Sequence, residues 1–446
     1  MARRVGLPLL AAALVIPCMG GTATLNTLYN FTDLADGAFP TAGLAMSSEG
    51  TLYGTTSIGG TYGYGSIFEV IPAAGGTSWT ETSIYDFQGG PGDGATPEAD
   101  LLVDTNGQIF GTTYYGGAHG YGAVFVLTPT SGGWTEKILY SFQGGATDGA
   151  NPAAGLVIAA KTGALYGTTE FGGADGFGTV FQMVPAKSGW TEKVLYSFQG
   201  NTDGANPISD LLFSVSGTIY GTTAQGGYVT VTNTSSCTQT DPCVYQNQGT
   251  VFELAALGGG AWQETILYTF TGQSDGGTPE SGLNMGTSGA LYGTTFWGGK
   301  ITACPIGDYP QGCGVVYQLL PPTGGATAWT ESVLYAFTGH TPDGSHPYGN
   351  MGLNNGGDLF GTTYSGGDNL DVCSADSYNG CGTIFELKPS KTGTWTKSNL
   401  IAFPGSPGGG NPNGLILNSS GGMFGTTNTG GGTGGYGTVF QMSTSK

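Results

Sequence analysis

Apolar residues recur along this chain with a period of two, in short bursts. In residues 134–142, "WTEKILYSF", Trp134, Ile138, Tyr140 and Phe142 share one face and Leu139 lies on the other. Apolar groups on both faces suit a strand sandwiched between two sheets. Further bursts cover residues 154–159, 164–169 and 179–184. Gly, Asn, Asp and Pro separate them, the residues that build tight turns. No stretch carries the period of an amphipathic helix. The pattern predicts an all-β chain with four strands in each unit.

The unit repeats. Gly-Thr-Thr occurs with its Gly at 54, 111, 167, 221, 293, 361 and 425, seven copies spaced by 57, 56, 54, 72, 68 and 64 residues. Trp recurs at 79, 134, 190, 262, 329 and 395. Asp-Gly recurs at Asp36, Asp93, Asp148, Asp203, Asp275 and Asp343, and the seventh unit has "PGGGNP" instead. Units of roughly 55 residues are longer than a β-helix rung and near the length of a propeller blade. Seven lie within the range of about four to eight blades. The ends agree with a ring. The chain stops after "GTVFQM" with no Trp-type strand, while "ATLNTLYNF" near the N-terminus aligns with "WTEKILYSF" and lacks only its Trp. Residues 24–31 are expected to complete a blade with residues 415–442, which hides both sheet edges. The expected fold is a seven-bladed β-propeller of four-stranded antiparallel blades, one domain over residues 24–446.

The run "LYGTTxxGGxxGxGTVFxL", followed by "WTExxLYSFxGxxDGxxPxxGL", resembles the Gloeo/Verruco tandem repeat of secreted bacterial proteins. The likeness covers essentially the whole mature chain and is strongest in units two and three. It implies a β-propeller in an exported protein and carries over no activity and no catalytic residues. The diglycine and downstream Trp are also similar to kelch blades, more weakly.

Composition limits the setting and the partners. Eleven basic residues face 30 acidic ones, for a formal net charge of -19. That field repels a phosphate backbone and excludes nucleic acid as a partner class. Cations, neutral sugars and polar polymers remain. The N-terminus, "MARRVGLPLLAAALVIPCMGGTATLN", has a basic start and an apolar run over residues 7–16 too short to span a bilayer. It is read as a secretory signal peptide, residues 1–23, cleaved after Ala23. Losing Arg3 and Arg4 takes the charge from -19 to -21. Pro17 before Cys18 fits a lipid-attachment box poorly. No later segment is long and apolar enough for a membrane span, so a monomer that is secreted, periplasmic or at the cell surface is expected.

The copies differ most in the loop between Gly-Thr-Thr and the next strand. In units one, two, three and seven it is short and ends Gly-aromatic-Gly, at Tyr64, Tyr121, Phe177 and Tyr436. In units four to six it expands and holds Cys237 and Cys243, Cys304 and Cys313, Cys373 and Cys381. Two cysteines per loop in an exported chain predict three local disulfides. Spacings of x5, x8 and x7 without histidine do not suit a zinc site. Cys313 and Cys381 fall where the other loops have an aromatic ring, so a disulfide can take over the ring's pinning role. Rigidly held loops are where binding usually resides. These carry Trp297, Tyr228, Tyr245, Tyr309, Tyr378, Asp308, Asp368, Asp371 and Asp376, which the repeat does not require. Rings with nearby carboxylates suit sugars. The plainer alternative is that these side chains fold over their own blades.

Other residues invite chemistry and are read structurally. One Asp per Asp-Gly turn is a single oxygen ligand, and calcium needs about six, so these Asp fix turns by accepting backbone N–H bonds. The unit-six loop "GGDNLDVCSADSYNGCG" is the one weak calcium candidate, and no other cofactor is implied. Glu81, Glu136, Glu192, Glu264 and Glu331 recur at one position and are assigned to strand pairing within each blade or to lysines such as Lys137 and Lys193. His340 and His346 are taken as solvated loop residues. No nucleophile elbow, P-loop or zinc-protease motif is present.

Two functions compete: an extracellular binding module for polysaccharide or a cell-surface protein on the unit four to six loops, and a carbohydrate-active enzyme, glycoside hydrolase or polysaccharide lyase, at the channel mouth. A purely structural envelope protein is a third. A cluster of unrepeated carboxylates, Tyr or His at the mouth separates the first two. The three disulfides are checked by intact mass: six thiols should become alkylatable only after reduction, and six without reduction would refute them.

Overall fold

Seven four-stranded antiparallel sheets follow one another along the computed structural model, each built from one turn of the repeat. The structure describes residues 14–18, 21–32, 35–73, 78–187, 189–227, 248–300, 304, 312–368, 373, 380–432 and 434–444. In blade 3 the strands are Val157–Ile158, Leu165–Thr169, Thr179–Ala186 and Gly189–Ser197, in that order across the sheet. The Trp strand is therefore the outermost strand of the blade it follows. In chain order the blades begin at the two-residue strand near Ala45 and end at Thr438–Thr444, whose outer neighbour is Gly21–Asn30. Residues 24–31 thus close the ring as expected, with Leu25 opposite Met442. Leu14–Cys18 pairs with the same closing strand.

The repeat's lettering follows from packing. Gly of Gly-Thr-Thr lies under the aromatic ring of the neighbouring strand: a Cβ at Gly167 would sit 2.7 Å from the Phe181 ring. The second Thr hydroxyl pairs across the same strands, Thr169 with Thr179 at 2.8 Å. The residue just after each outer strand then crosses the seam to the next blade. Phe87–Phe125, Phe142–Phe181, Phe198–Phe252, Phe270–Tyr317, Phe337–Phe385, Phe403–Phe440 and Phe31–Phe68 are edge-to-face pairs with centroids 5.0 to 5.3 Å apart. Such pairs add about 1 kcal/mol each beyond the area they bury. The last pair joins the N-terminal strand to blade 1, so the closing seam has the same construction as the others. The core is accordingly seven apolar layers between blades.

Six seams also stack the outer-strand Trp against an aromatic residue of the preceding blade, as Trp134 on Tyr53 at 6.0 Å and Trp395 on Tyr292 at 5.8 Å. At the seam of blades 6 and 7 the place is taken by Ala23, and a cleft of about 1210 Å³ opens beside Phe360.

Seven non-glycine residues, each directly before a proline, have left-handed backbones: Phe39, Thr96, Asn151, Asn206, Thr278, His346 and Asn411, with φ between 52° and 57°. Each N–H donates to a carbonyl of the preceding blade's loop, Thr96 to Tyr64 at 2.9 Å and Asn151 to Tyr121 at 2.8 Å. In five blades the carbonyl accepts from the residue after Gly-Thr-Thr, Thr96 from Tyr114 at 3.0 Å.

The Asp-Gly aspartates fix turns as expected. Asp93 accepts from Gln88 N–H and Gly94 N–H, both at 2.7 Å, and from the Tyr85 hydroxyl at 3.0 Å. The repeated glutamates differ from expectation. Lys193 donates to the Gly260 carbonyl instead. Each Glu faces the Tyr–Asp pair of the neighbouring blade, and one buried oxygen of each has no hydrogen-bond partner. Burial first and the adjacent Asp charge second push Glu136, Glu192, Glu264 and Glu331 up to about 7. The same causes push Glu81 up to about 8. In blade 6 Lys397 stands at this position and makes an ion pair with Asp343 at 2.6 Å.

These five glutamates bind a proton more tightly folded than unfolded. Their contribution is complete below about pH 4.5 and is lost as pH rises through about 7 to 8. The melting temperature should therefore fall by about 5 °C or more between pH 5 and pH 9. Replacing all five by Gln should flatten that slope; calorimetry across pH checks it.

Candidate functional site

A Pro-x-x-Gly-Leu segment, one residue shorter in blade 7 and ending in Met351 in blade 6, leads into the innermost strands, and its Gly varies in a regular way. Blades 1, 3, 5 and 7 have Gly43, Gly155, Gly282 and Gly414, while blades 2, 4 and 6 have Asp100, Asp210 and Asn350. Each of these three side chains reaches back to the preceding blade. Gly43 N–H donates to Asp100 and Gly155 N–H to Asp210, both at 2.6 Å, and Gly282 N–H donates to Asn350 at 2.8 Å. The Asn350 amide also donates to Asp100 at 2.9 Å and to Asp210 at 2.8 Å. Blades 2, 4 and 6 are not neighbours, so this contact crosses the axis and stoppers the central channel. Both aspartates keep some accessible surface. They are nonetheless enclosed, and burial raises both, with the Asp210 charge adding to the rise at Asp100.

Above the stopper, on the face of the variable loops, two further positions depart from the repeat. The residue after Pro is Glu98, Glu280 or Tyr348 in blades 2, 5 and 6, against Ala153 in blade 3. The residue after Gly-Thr-Thr is Tyr114, Glu170, Phe296 or Tyr364 in blades 2, 3, 5 and 6, against Ser57, Ala224 and Asn428 in blades 1, 4 and 7. The left-handed residues hold both positions at one end of the channel. Tyr114 donates to Glu170 across the seam at 2.7 Å. Burial and then the Glu170 charge push Glu280 up to about 7 and raise Glu98. Burial raises Glu170, and the Tyr114 bond opposes it. Burial, Glu280 and Glu98 together raise the Tyr348 hydroxyl. Carboxyl groups from blades 2, 3 and 5 and a Tyr hydroxyl from blade 6 therefore converge on one mouth.

An aromatic border adjoins it. Phe296 lies 6.2 Å from Tyr348, and Tyr348 lies 5.9 Å from Tyr364. His346 packs between Phe296 at 4.8 Å and Trp297 at 4.7 Å, with Nδ1 2.9 Å from the Ser365 hydroxyl. His346 was expected in solvent and is instead fully buried, because the bulky rings of blade 5 and the strand of blade 6 enclose it. Burial pushes it down to about 3, so it is neutral.

Of the loop residues singled out from the sequence, Trp297 borders the mouth and Asp368 is exposed at the start of the blade-6 loop. Tyr228, Tyr245, Tyr309, Tyr378, Asp308, Asp371 and Asp376 lie outside the described residues, as do Cys237 and Cys243. Cys304–Cys313 and Cys373–Cys381 are disulfides, with Cα atoms 5.4 and 5.1 Å apart. Among the described residues no group of three potential metal ligands gathers. Sequence reasoning missed Asp100, Asp210, Asn350, Glu98, Glu170 and Glu280. A signal was present for Asp100, Asp210 and Asn350, which stand where the other four blades keep Gly, whereas Glu98, Glu170 and Glu280 sit at positions that vary from blade to blade.

Fold and site define a seven-bladed β-propeller with a stoppered channel and an acidic, aromatic mouth. Residues 18–235 and 233–446 match the Gloeobacter/Verrucomicrobia repeat, and the chain belongs to that family. Among solved structures, an oligogalacturonate lyase in complex with manganese is similar over 98% of this chain and 97% of its own, at 10% identity and a TM-score of 0.50. A gluconolactonase from Xanthomonas campestris is similar over 99% of both chains, at 13% identity and a TM-score of 0.42. A Bacteroides uniformis protein assigned as a 6-phosphogluconolactonase is similar over 88% of this chain and 97% of its own, at 15% identity and a TM-score of 0.48. At these identities the lyase likeness shows the fold alone, and the other two carry no argument. A comparison with curated proteins finds no match.

The stopper depends on an amide that donates to two carboxylates. Asn350→Asp replaces the donor by a third acidic group and should cost about 2 kcal/mol. The loss should be larger at pH 8 than at pH 4.5, where protons can stand in for the amide; thermal melts at both values check it.

Proposed function

We propose that this protein binds the end of a saccharide at the channel mouth. One observation carries the reading: side chains that the repeat does not need converge on one mouth from blades 2, 3, 5 and 6. A fold built from repeated contacts gains nothing from Glu98, Glu170 or Glu280, which bring like charges together. Carboxyl groups and Tyr hydroxyls offer both donors and acceptors to sugar hydroxyls. Phe296, Trp297, Tyr348 and Tyr364 offer ring faces for the sugar's apolar face. The blade 5 and 6 loops carry two of the expected disulfides. An exported location supports the same ligand class. The N-terminal basic and apolar segment fits a signal cleaved after Ala23, and the two disulfides and the absence of a membrane-crossing helix among the described residues are compatible with it.

A second reading has its own support. A carboxyl group pushed up to about 7 beside others is what general acid–base chemistry on a glycosidic bond requires. On that reading Glu280 donates a proton, and turnover declines above about pH 7.

Calorimetric titration with neutral and acidic mono- to tetrasaccharides tests the binding reading. At least one should bind, and Glu280→Gln or Tyr348→Phe should weaken it about tenfold, near 1.4 kcal/mol. Equal affinity in both variants, or no binding by any of the sugars, would overturn it. Release of reducing ends by the wild-type protein would favour the enzymatic form.

A further inference from the structure

The loop face of blades 1 to 3 carries a second set of rings, away from the expanded loops. Tyr64, Tyr121 and Phe177 occupy the same place in three successive blades and are 41 to 48% exposed. Each ring lies against a glycine of its own blade. A Cβ at Gly89 would sit 2.9 Å from the Tyr64 ring, one at Gly144 3.3 Å from Tyr121, and one at Gly200 2.5 Å from Phe177. One face of each ring is therefore held by backbone, and the ring cannot fold down into the blade. Tyr115 and Phe171, 51 and 40% exposed, stand beside them. Between Tyr121 and Phe171 a cleft of about 510 Å³ is floored by Gly, Ala and Asn151, with no charged side chain in its lining.

Exposed rings of this size are costly to solubility unless they serve contact, and a row of them marks an interaction surface. We propose that this row is a stacking platform for a neutral polysaccharide chain running across blades 1 to 3. Three features select that occupant. A flat ring fixed on one side and open on the other is preorganised for the apolar face of a sugar ring, so little freedom is lost on binding. The ring recurs at the same place in three successive blades, so one chain can meet it more than once. The cleft is uncharged on a protein of net charge -19, which disfavours anionic chains and gives a cationic one no local partner. The platform ends at blade 4, where Gln248 stands in the ring's place, followed by Cys313 and Cys381 in blades 5 and 6. The proposal shares its ligand class with the channel-mouth reading but uses other residues.

Retention on insoluble xylan, cellulose and chitin, with affinity electrophoresis in soluble mannan and β-glucan, tests it. Wild-type protein should be retained by at least one polymer. Tyr121→Ala/Phe171→Ala/Phe177→Ala should weaken retention about tenfold or more, from three lost stacking contacts. Its melting temperature should stay close to wild type, since the rings are surface groups. Should the triple variant fold poorly, Tyr121→Leu, which keeps an apolar group and loses the flat face, should show a smaller loss in the same direction. Retention unchanged in both variants, retention on none of the polymers, or a fall in sedimenting mass caused by the triple variant would each overturn the platform, the last by revealing a self-association surface. Glu280→Gln should leave polymer retention intact, so failure at the mouth and failure on the platform are told apart.

Discussion

The left-handed residue before each blade's proline is the constraint on which the rest of the molecule hangs. Proline disfavours this backbone in the residue before it, and Thr96 and Thr278 are β-branched besides. Each such residue costs about 1 kcal/mol or more, and it persists only where its surroundings over-determine it. Here they do. Its N–H is tied to the loop of the blade before, and in five blades its carbonyl is tied to the residue after Gly-Thr-Thr in its own blade. The kink aims the next four residues at the axis. It also fixes the backbone carbonyl at which every variable loop must finish, whatever its length. A loop can end there in an aromatic ring, in Gln248 or in a disulfide cysteine, because the seam reads the carbonyl and not the side chain.

The axis is where the sevenfold pattern is broken, and it is broken by three. Alternate blades send in an acidic or amide group while the intervening blades supply only an N–H. Two carboxylates share one amide, an arrangement that is favourable only because every hydrogen bond is made. The outer seams handle acid differently. There a Glu and an Asp from adjoining blades crowd one Tyr hydroxyl, and burial with the Asp charge makes the Glu hold its proton more tightly. Two outer strands are exceptions: the closing strand has Leu25 at this position, and blade 6 has Lys397, which gives its seam an ion pair beside the one place where the Trp is missing.

Much of the fold was legible because its causes are local and repeated. The period-two bursts, the turn residues and the missing Trp strand at the C-terminus each point to a closed ring, and Thr24 to Phe31 lies where that reasoning requires. The blade boundary was not legible, since the Trp strand is equally contiguous in sequence with the unit before and the unit after. The mouth was harder. Glu98, Glu170 and Glu280 are scattered over nearly two hundred residues and meet only because the ring closes. The conspicuous cysteine-bearing loops drew attention away from single substitutions such as Asp100 for Gly. His346 looked like a solvated loop residue because its segment is rich in Gly and Pro; nothing local signals that rings from the neighbouring blade cover it.

The amide and its two acidic partners turn a tunnel into a cul-de-sac. A solute arriving from the loop side has no exit at the opposite face, so whatever enters must leave by the way it came. A long polymer cannot be threaded through such a body. The mouth itself can take no more than an end of such a chain, and the remainder stays outside the ring.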